Sequence, residues 1–349
     1  MSLESIFNSQ SEWLRGDGPS NDIVISSRIR LARNIKGIPF PHRGETSSNT
    51  DVMNKVIDAL EKTSFFKKGA IVKMDDLDDL AKQILLERHL ISKEHLIDRP
   101  GCAVAISKHQ DIAVMINEED HLRIQVLKSG FRLGECWELI NEVDSELEKY
   151  LEFAYSPSFG YLTACPTNVG TGLRASVMLH LPGLVMMELI NKVMQATIKL
   201  GLTVRGFYGE GSDVLGNLFQ ISNQATLGKP EKDIISNITG VLDLVAEHER
   251  NSREILRKKS EEIVKDRVGR AYGILANAHV ISSKETITLL SALRMGMDMG
   301  YVAGIDSGSI NELFILTQPA HLQKESGRIL DPSARAIKRA NIIREKLKK

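Results

Sequence analysis

GCAVAISKHQDIAVMINEEDHLRIQVL, residues 101–127, decides the fold class. Two apolar runs, GCAVAIS and IAVMI, are joined by the short polar link KHQD, which suits a hairpin between antiparallel strands. A third run, LRIQVL, comes next. Outward from this stretch, β-rich segments recur between about residue 20 and residue 225 as IVISSRIR, FGYLTAC, LTVRGFYG and NLFQISN. Helical patterns lie between them, from Leu77 to Arg88 and from Glu135 to Tyr150. The alternation predicts an α+β fold, a mostly antiparallel sheet flanked by helices.

After Pro230 long charged helices take over, beginning with a stretch from about Asn237 to Val268 whose apolar positions recur every three or four residues. A boundary is expected near residue 255, between an α+β domain at 1–255 and an all-α region at 256–349. The tail from Asp331 to Lys349 holds seven basic and two acidic residues and reads as a basic amphipathic helix. LLSALRMGMDMGYV, residues 289–302, is richer in apolar and Met residues than one small helical layer buries, which points to a homodimer. An ordinary helix core is the competing reading.

Composition excludes several classes. The 349 residues carry 45 basic and 45 acidic side chains, and the basic tail lacks interleaved aromatics, so a nucleic-acid partner is not expected. No run of about 18 apolar residues offers a membrane span. MSLESIFNSQ has neither the basic stretch nor the apolar core of a secretory signal. Cys102, Cys136 and Cys165 are too few and too scattered for a disulfide framework or a zinc site, which fits a reducing cytoplasm. No metal ligand set is predicted.

Four clusters carry the chemistry. NEEDHLR, residues 117–123, crowds charge at the end of the apolar run IAVMI. SSRIRLARN, residues 26–34, puts Arg28 and Arg30 two apart, on one face of a strand, where they repel each other unless an anion sits between them. The guanidinium fork matches phosphate oxygens, so a polyphosphate is the natural guest. CPTNVGTGLRAS, residues 165–176, breaks regular structure with Pro166, Gly170 and Gly172, which leaves backbone N–H groups able to point at an anion, while Arg174 adds charge. It lacks the Lys of a Walker A loop. Cys165 adjoins this polar loop, where arginines favour a thiolate. In VRGFYGEGSD, residues 204–213, Arg205 and Glu210 flank Gly206 and Gly209. Arg28, Arg30, Arg123, Arg174 and Arg205 would hold a triphosphate, and Glu119 with Glu210 something cationic and planar, a guanidinium.

NEEDHLR, CPTN with VGTGLRAS, SSRIR, and the stretch from Arg205 to Glu210 resemble, in order, the signature segments of the phosphagen (guanidino) kinase catalytic domain over roughly residues 20–255. The resemblance implies an ATP-dependent phosphotransferase using Mg²⁺, with Glu119 and Glu210 binding the acceptor guanidinium, Glu119 as base and Cys165 assisting. It implies nucleotide contacts from Ser26, Ser27, Arg28, Ile29 and Arg30, from Arg123, from Arg174, Ala175, Ser176, Val177 and Met178, and from Arg205, Gly206, Phe207, Tyr208 and Gly209. His89 stands where the family has a histidine near the base. Met178 departs from the family, whose metabolic members commonly have histidine there. Those members also carry a helical domain before the motifs, whereas here only about 25 residues precede SSRIR and a helical region follows. That layout is similar to the bacterial branch that phosphorylates arginines of proteins. For that branch the implied partners are protein substrates with accessible arginines, a heat-shock repressor, unfolded proteins marked for a Clp ATPase/protease, and an activator protein. A C-terminal RDxxRA motif of the branch, which binds phosphoarginine, corresponds to Arg335–Ala340, with Ala336 in place of Asp and Arg335 and Arg339 kept. A kinase of free arginine and a catalytically silent ATP-binding adaptor are the alternatives.

Overall fold

The structure is a computed structural model that describes residues 3–97, 99–206 and 215–348. Its centre is an eight-stranded sheet. In chain order the strands are β1 (Val24–Arg33), β2 (Ala70–Lys73), β3 (Ala103–Ile106), β4 (Ile112–Ile116) and β5 (Leu122–Ser129). A short hairpin follows, β6 (Tyr155–Ser156) and β7 (Gly160–Tyr161), and then β8 (Leu173–His180), β9 (Leu202–Gly206) and β10 (Leu218–Asn223). The order across the sheet is β2-β3-β4-β5-β1-β8-β10-β9, with every neighbouring pair antiparallel. The α+β expectation holds. FGYLTAC, expected as a sheet strand, instead lies in and after the separate β6-β7 hairpin.

The continuous apolar run of residues 101–116 has a physical reason. Ala103, Ala105, Ile112, Val114 and Ile116 enter one core, while Val104, Ile106, Ala113 and Met115 enter a second on the other face of the sheet. A strand covered on both faces needs no polar alternation. The first core packs the sheet against the helices Thr46–Lys62 and Leu133–Glu148 and the first half of Glu231–Lys259. The second packs it against Asp79–Glu87 and the N-terminal Leu3–Phe7. A third core joins Ile25, Leu127, Met178 and Leu218 on the sheet to Trp13 and to the C-terminal helices Ser283–Asp298, Ser307–Leu316 and Pro332–Leu347. The far face of the sheet is therefore covered at both ends and open between them.

Two details of the helical region differ from expectation. The helix expected from about Asn237 to Val268 is two, Glu231–Lys259 and Glu261–Asn277, parted at Ser260, whose φ of −143° and ψ of 31° leave the helical region. The first of these runs unbroken through residue 255. The apolar surplus of residues 289–302 is absorbed within the chain: Leu290, Leu293, Met295 and Met299 are buried in the third core and in a small cluster with Leu256, Val264 and Val268. These side chains pack as an ordinary helix core within the chain.

Candidate active site

NEEDHLR is a hairpin loop taken apart residue by residue. Asn117 adopts a left-handed conformation (φ 56°) that suits the turn from β4 to β5, and its Nδ2 donates to the carbonyls of Asn49 (2.8 Å) and Gly101 (2.7 Å). Asp120 accepts from Asn34 Nδ2 and from the Ala164 N–H, both at 2.6 Å. His121 Nδ1 accepts from the Ile35 N–H at 3.0 Å, which leaves Nε2 to donate to Pro39 O at 2.9 Å. Glu118 is buried against Arg123, Oε1 to Nη1 2.5 Å, and also accepts from Ser92 Oγ. Burial alone would raise its pKa, but the Arg123 charge and these hydrogen bonds outweigh it and bring the carboxyl down to about 2. Of the three carboxylates in this loop, Glu119 lines the cleft with neither an ion pair nor a side-chain hydrogen bond among the described residues. Burial, and then the neighbouring charges of Asp120 and Glu118, raise its pKa, the direction a general base needs.

The cleft has a volume of about 730 Å³. Strand register supplies its cationic wall. Arg30 on β1 stands directly across from Arg174 on β8, Arg28 across from Ser176, Arg123 on β5 across from Ala32, and Arg205 on β9 across from Gln220 on β10. Like charges facing each other across strands are destabilising. Arg28 donates to Ser176 Oγ (3.4 Å) and Gln220 Oε1 (3.2 Å), and Arg174 to Ser222 Oγ (3.0 Å) and Thr203 Oγ1 (3.4 Å), while Arg123 holds Glu118. Arg30 Nε is buried with no hydrogen-bond partner among the described residues. Burial first, and then Arg123 and Arg174, push the Arg28 guanidinium down to about 10. Arg30 is pushed well below its usual range by burial and then by Arg28, Arg123 and Arg174, with Glu118 pulling the other way. Arginines gathered on one face in this way suit a polyphosphate.

At one end of the wall Cys165, partly exposed, caps a single turn at Pro166–Asn168, with Sγ 3.0 Å from Thr167 Oγ1. It lines the same cleft as Glu119. His89, in a left-handed conformation (φ 59°), sets its ring edge-on to Trp13 at 5.2 Å between centroids. Burial and then Arg28 push its pKa down to about 3, so the ring is neutral at physiological pH.

The other expected site residues sort by strand alternation. Ser26, Ser176 and Met178 line the cleft beside the arginines, whereas Ile29, Ala175 and Val177 point into the first core. Ser27 is turned away too, its Oγ donating to Gly130 O (2.8 Å) and accepting from the Arg132 N–H (2.9 Å). Gly206 ends β9, and Phe207, Tyr208, Gly209 and Glu210 lie outside the described residues. The tail is a helix, Pro332–Leu347, capped by Asp331. There Arg335 donates to Leu330 O (2.7 Å), and the buried Arg339 donates to Thr317 O (2.9 Å) and Ile281 O (3.0 Å). The Arg339 contacts tie this helix to the segments at Ile281 and Thr317, while that of Arg335 stays at the start of its own helix. Residues missed from the sequence include Trp13, Ser92, Glu118, Gln220, Ile315 and Gln318, all lining the cleft. Glu118 was legible as a charge beside Glu119, but nothing in the order of residues says which of the two faces Arg123.

The family described as ATP:guanido phosphotransferase, C-terminal catalytic domain, matches residues 51–252, and the one described as Protein-arginine kinase McsB C-terminal domain matches residues 261–349. The chain belongs to the ATP:guanido phosphotransferase family, a family of phosphotransferases. Within it the chain is similar over its length to proteins named protein-arginine kinase. It is 50% identical to that of Halothermothrix orenii over 99% of both chains, and 46% identical to that of a Geobacillus species over 100% of this chain and 97% of the relative. Among solved structures it resembles lombricine kinase, with a TM-score of 0.60 and 23% identity over 71% of this chain and 70% of that one. It also resembles the duplicated taurocyamine kinase of Schistosoma mansoni, solved with transition-state analogue components, with a TM-score of 0.61 and 23% identity over 82% of this chain and 40% of that one. These likenesses establish the fold.

Proposed function

We propose that the protein transfers the γ-phosphoryl group of ATP to arginine guanidiniums of protein substrates. One observation carries this: a single cleft sets a wall of Arg28, Arg30, Arg123 and Arg174, where burial and then mutual repulsion depress Arg28 and Arg30, beside the Glu119 carboxylate and Cys165. The names of full-length relatives supply the acceptor class. A guanidinium has a pKa above about 12, so its nitrogen has no lone pair to attack with until a base removes a proton. Glu119, its own pKa raised, takes that proton as the nitrogen closes on the γ-phosphorus, and Cys165 helps orient the guanidinium plane. The arginines then stabilise charge on the transferring group.

Among the described residues no group of three or more His, Cys, Asp or Glu could hold a metal ion, so Mg²⁺ fits this cleft as an ion carried in on the nucleotide phosphates. There it would neutralise phosphate charge. Glu210 is assigned the second grip on the acceptor by resemblance alone. The division near residue 255 into catalytic and helical parts, a homodimer and a cytoplasmic setting are readings of the sequence pattern, while the phosphoarginine role of Arg335 and Arg339 rests on the same resemblance. So do a heat-shock repressor and Clp-directed unfolded proteins as substrates, with an activator protein. Among the described residues no helix is long and apolar enough to cross a membrane.

The test is mass spectrometry, with non-acidic handling, of an unfolded protein and of free arginine after reaction with ATP. Phosphate on protein arginines is the expected result. Phosphate on free arginine alone would make the protein a free-guanidino kinase, and ATP binding without any transfer would make it a silent adaptor.

A further inference from the structure

We infer that the C-terminal helical region supplies the far wall of the base subsite of this cleft, through Ile315 and Gln318, and that Gln318 sets the preference for adenine over guanine. The inference rests on the nucleotide reading of the cleft. Strand register gives the cleft a direction. Along β1 the acceptor end lies past Arg30, where Arg123 pairs with Ala32 and leads to Glu118 and Glu119. The opposite end is marked by Ser26, which faces Met178, and by Gln220 beyond it. Ser26 and Arg30 are four residues apart, about 13 Å along a strand. With the terminal phosphate among the arginines near Glu119, a base falls beyond Arg28, at the Ser26 end.

The side chains at that end suit a base and nothing charged. Trp13, Leu127, Met178 and Ile315 belong to one apolar cluster and also line the cleft. The neutral His89 ring stands against Trp13. An apolar and aromatic box with a few polar groups at its edge is what a flat heteroaromatic ring requires. Gln318 supplies such an edge: its Nε2 already donates to Phe314 O (2.9 Å), which fixes the amide, and its Oε1 is an acceptor that suits an adenine amino group and not a guanine carbonyl.

The wall is held firmly. The Gln318 N–H donates to Ile315 O and its Nε2 to Phe314 O, both at 2.9 Å, while Thr317 O accepts from Arg339. From the other side Glu87, two residues before His89, accepts from the Ala320 N–H (2.9 Å), the His321 N–H (3.1 Å) and His321 Nδ1 (2.7 Å). The same segment therefore positions His89 and clamps the helix Pro319–Ser326 that follows Gln318.

The experiment is calorimetry of the full chain with ATP, GTP and tripolyphosphate, which has no base, on wild type, Gln318→Leu and the milder Ile315→Val, with thermal melts to confirm folding. Gln318→Leu should weaken ATP about three- to tenfold, the scale of one hydrogen bond, shrink the ATP-over-GTP preference, and leave tripolyphosphate unchanged. Ile315→Val should weaken ATP by up to about fourfold, again sparing tripolyphosphate. Equal losses for ATP and tripolyphosphate, or an unchanged ATP-to-GTP ratio in Gln318→Leu, would overturn the inference. A wild-type chain that binds neither ATP nor tripolyphosphate would sink the nucleotide reading itself, an outcome distinct from variants that bind like wild type.

Discussion

Arg30 and Arg33 stand three residues apart on one strand, and their surroundings are opposite. Arg33 is 2% exposed and saturated: Nε and Nη2 clasp the Asp144 carboxylate at 2.7 to 3.1 Å, and Nη1 donates to Ala32 O and Thr171 O, both at 2.9 Å. The Tyr161 ring lies 3.5 Å from its guanidinium carbon. Arg30 meets Arg174 across the strand and Arg28 and Arg123 nearby, with Nε unpartnered among the described residues. An odd number of residues separates the two, which puts them on opposite faces of the sheet. A buried arginine whose donors are met by carbonyls and a carboxylate holds the fold, whereas arginines gathered on one face, with Arg28 touching neutral oxygens and Arg123 sharing Glu118, are arranged to receive an anion. The rule sorts others. Arg88 donates to the carbonyls of Ile6, Phe7 and Ser9, and Arg253 lies between Glu249 and Asp298. Both are structural.

The largest expected effect comes from applying the same distinction to the adjacent acids. Glu118 is saturated by Arg123 and Ser92, and Glu119 is not. Glu119→Gln should lower single-turnover phosphoryl transfer by about a thousandfold, the scale of a lost general base, with ATP affinity by calorimetry within about twofold of wild type. If affinity falls as far as turnover, Glu119 belongs to nucleotide binding and the division between the two acids is wrong.

Crossed effects are expected on β1 itself. Arg30→Ala should lower turnover by about a hundredfold or more while leaving the melting temperature unchanged or higher, because a crowded charge is relieved. Arg33→Ala should cost roughly 3–5 kcal/mol of stability in denaturant melts, because Asp144 is left buried without its partner. Similar stability losses in both variants would break the comparison.

Much of this was legible in the residues. The hairpin of 101–116, the alternation that puts Arg28 and Arg30 on one face, and the clustering of charge after IAVMI all follow from a period of two and from the cost of burying charge. Contiguous motif segments blurred that period: Ser27, Ile29, Ala175 and Val177 travel with the arginines in sequence but face the core. Alternation alone would have separated them. The base end was legible only in part: the resemblance marked His89 and Met178, whereas Trp13 and Ile315 come from distant parts of the chain and only tertiary packing brings them to the same cleft. The burial of residues 289–302 was hidden for a related reason, since the sequence does not show that the helical region packs against the sheet as well as against itself.

A smaller effect tests the rule at the C-terminus. Arg339, expected from resemblance to bind phosphoarginine, is buried and donates to Thr317 O and Ile281 O. Arg339→Ala should destabilise the chain by about 2 kcal/mol in denaturant melts, the scale of a hydrogen bond to a charged donor. Unchanged stability, together with weaker binding of phosphoarginine, would move Arg339 from the structural group to the ligand-binding one.

The smallest effect is in the acid limb of stability, where the two neighbouring glutamates carry opposite signs. Glu118 has its pKa lowered to about 2 from an ordinary 4.5, so between those values the unfolded chain binds the extra proton. Its contribution is fully present above pH 4.5 and is lost as pH falls toward 2. Glu119 is shifted upward, by burial and by its acidic neighbours, so its contribution is present at low pH and is lost as pH rises through its folded pKa. Glu118→Gln should therefore flatten the loss of stability on acidification, measured as denaturation midpoints between pH 2 and pH 5. Glu119→Gln should remove a small cost at neutral pH and leave the acid limb as steep as before. Equal flattening in both variants would mean that Arg123 divides its charge between the two carboxylates, and the base would then have to be sought elsewhere in the cleft.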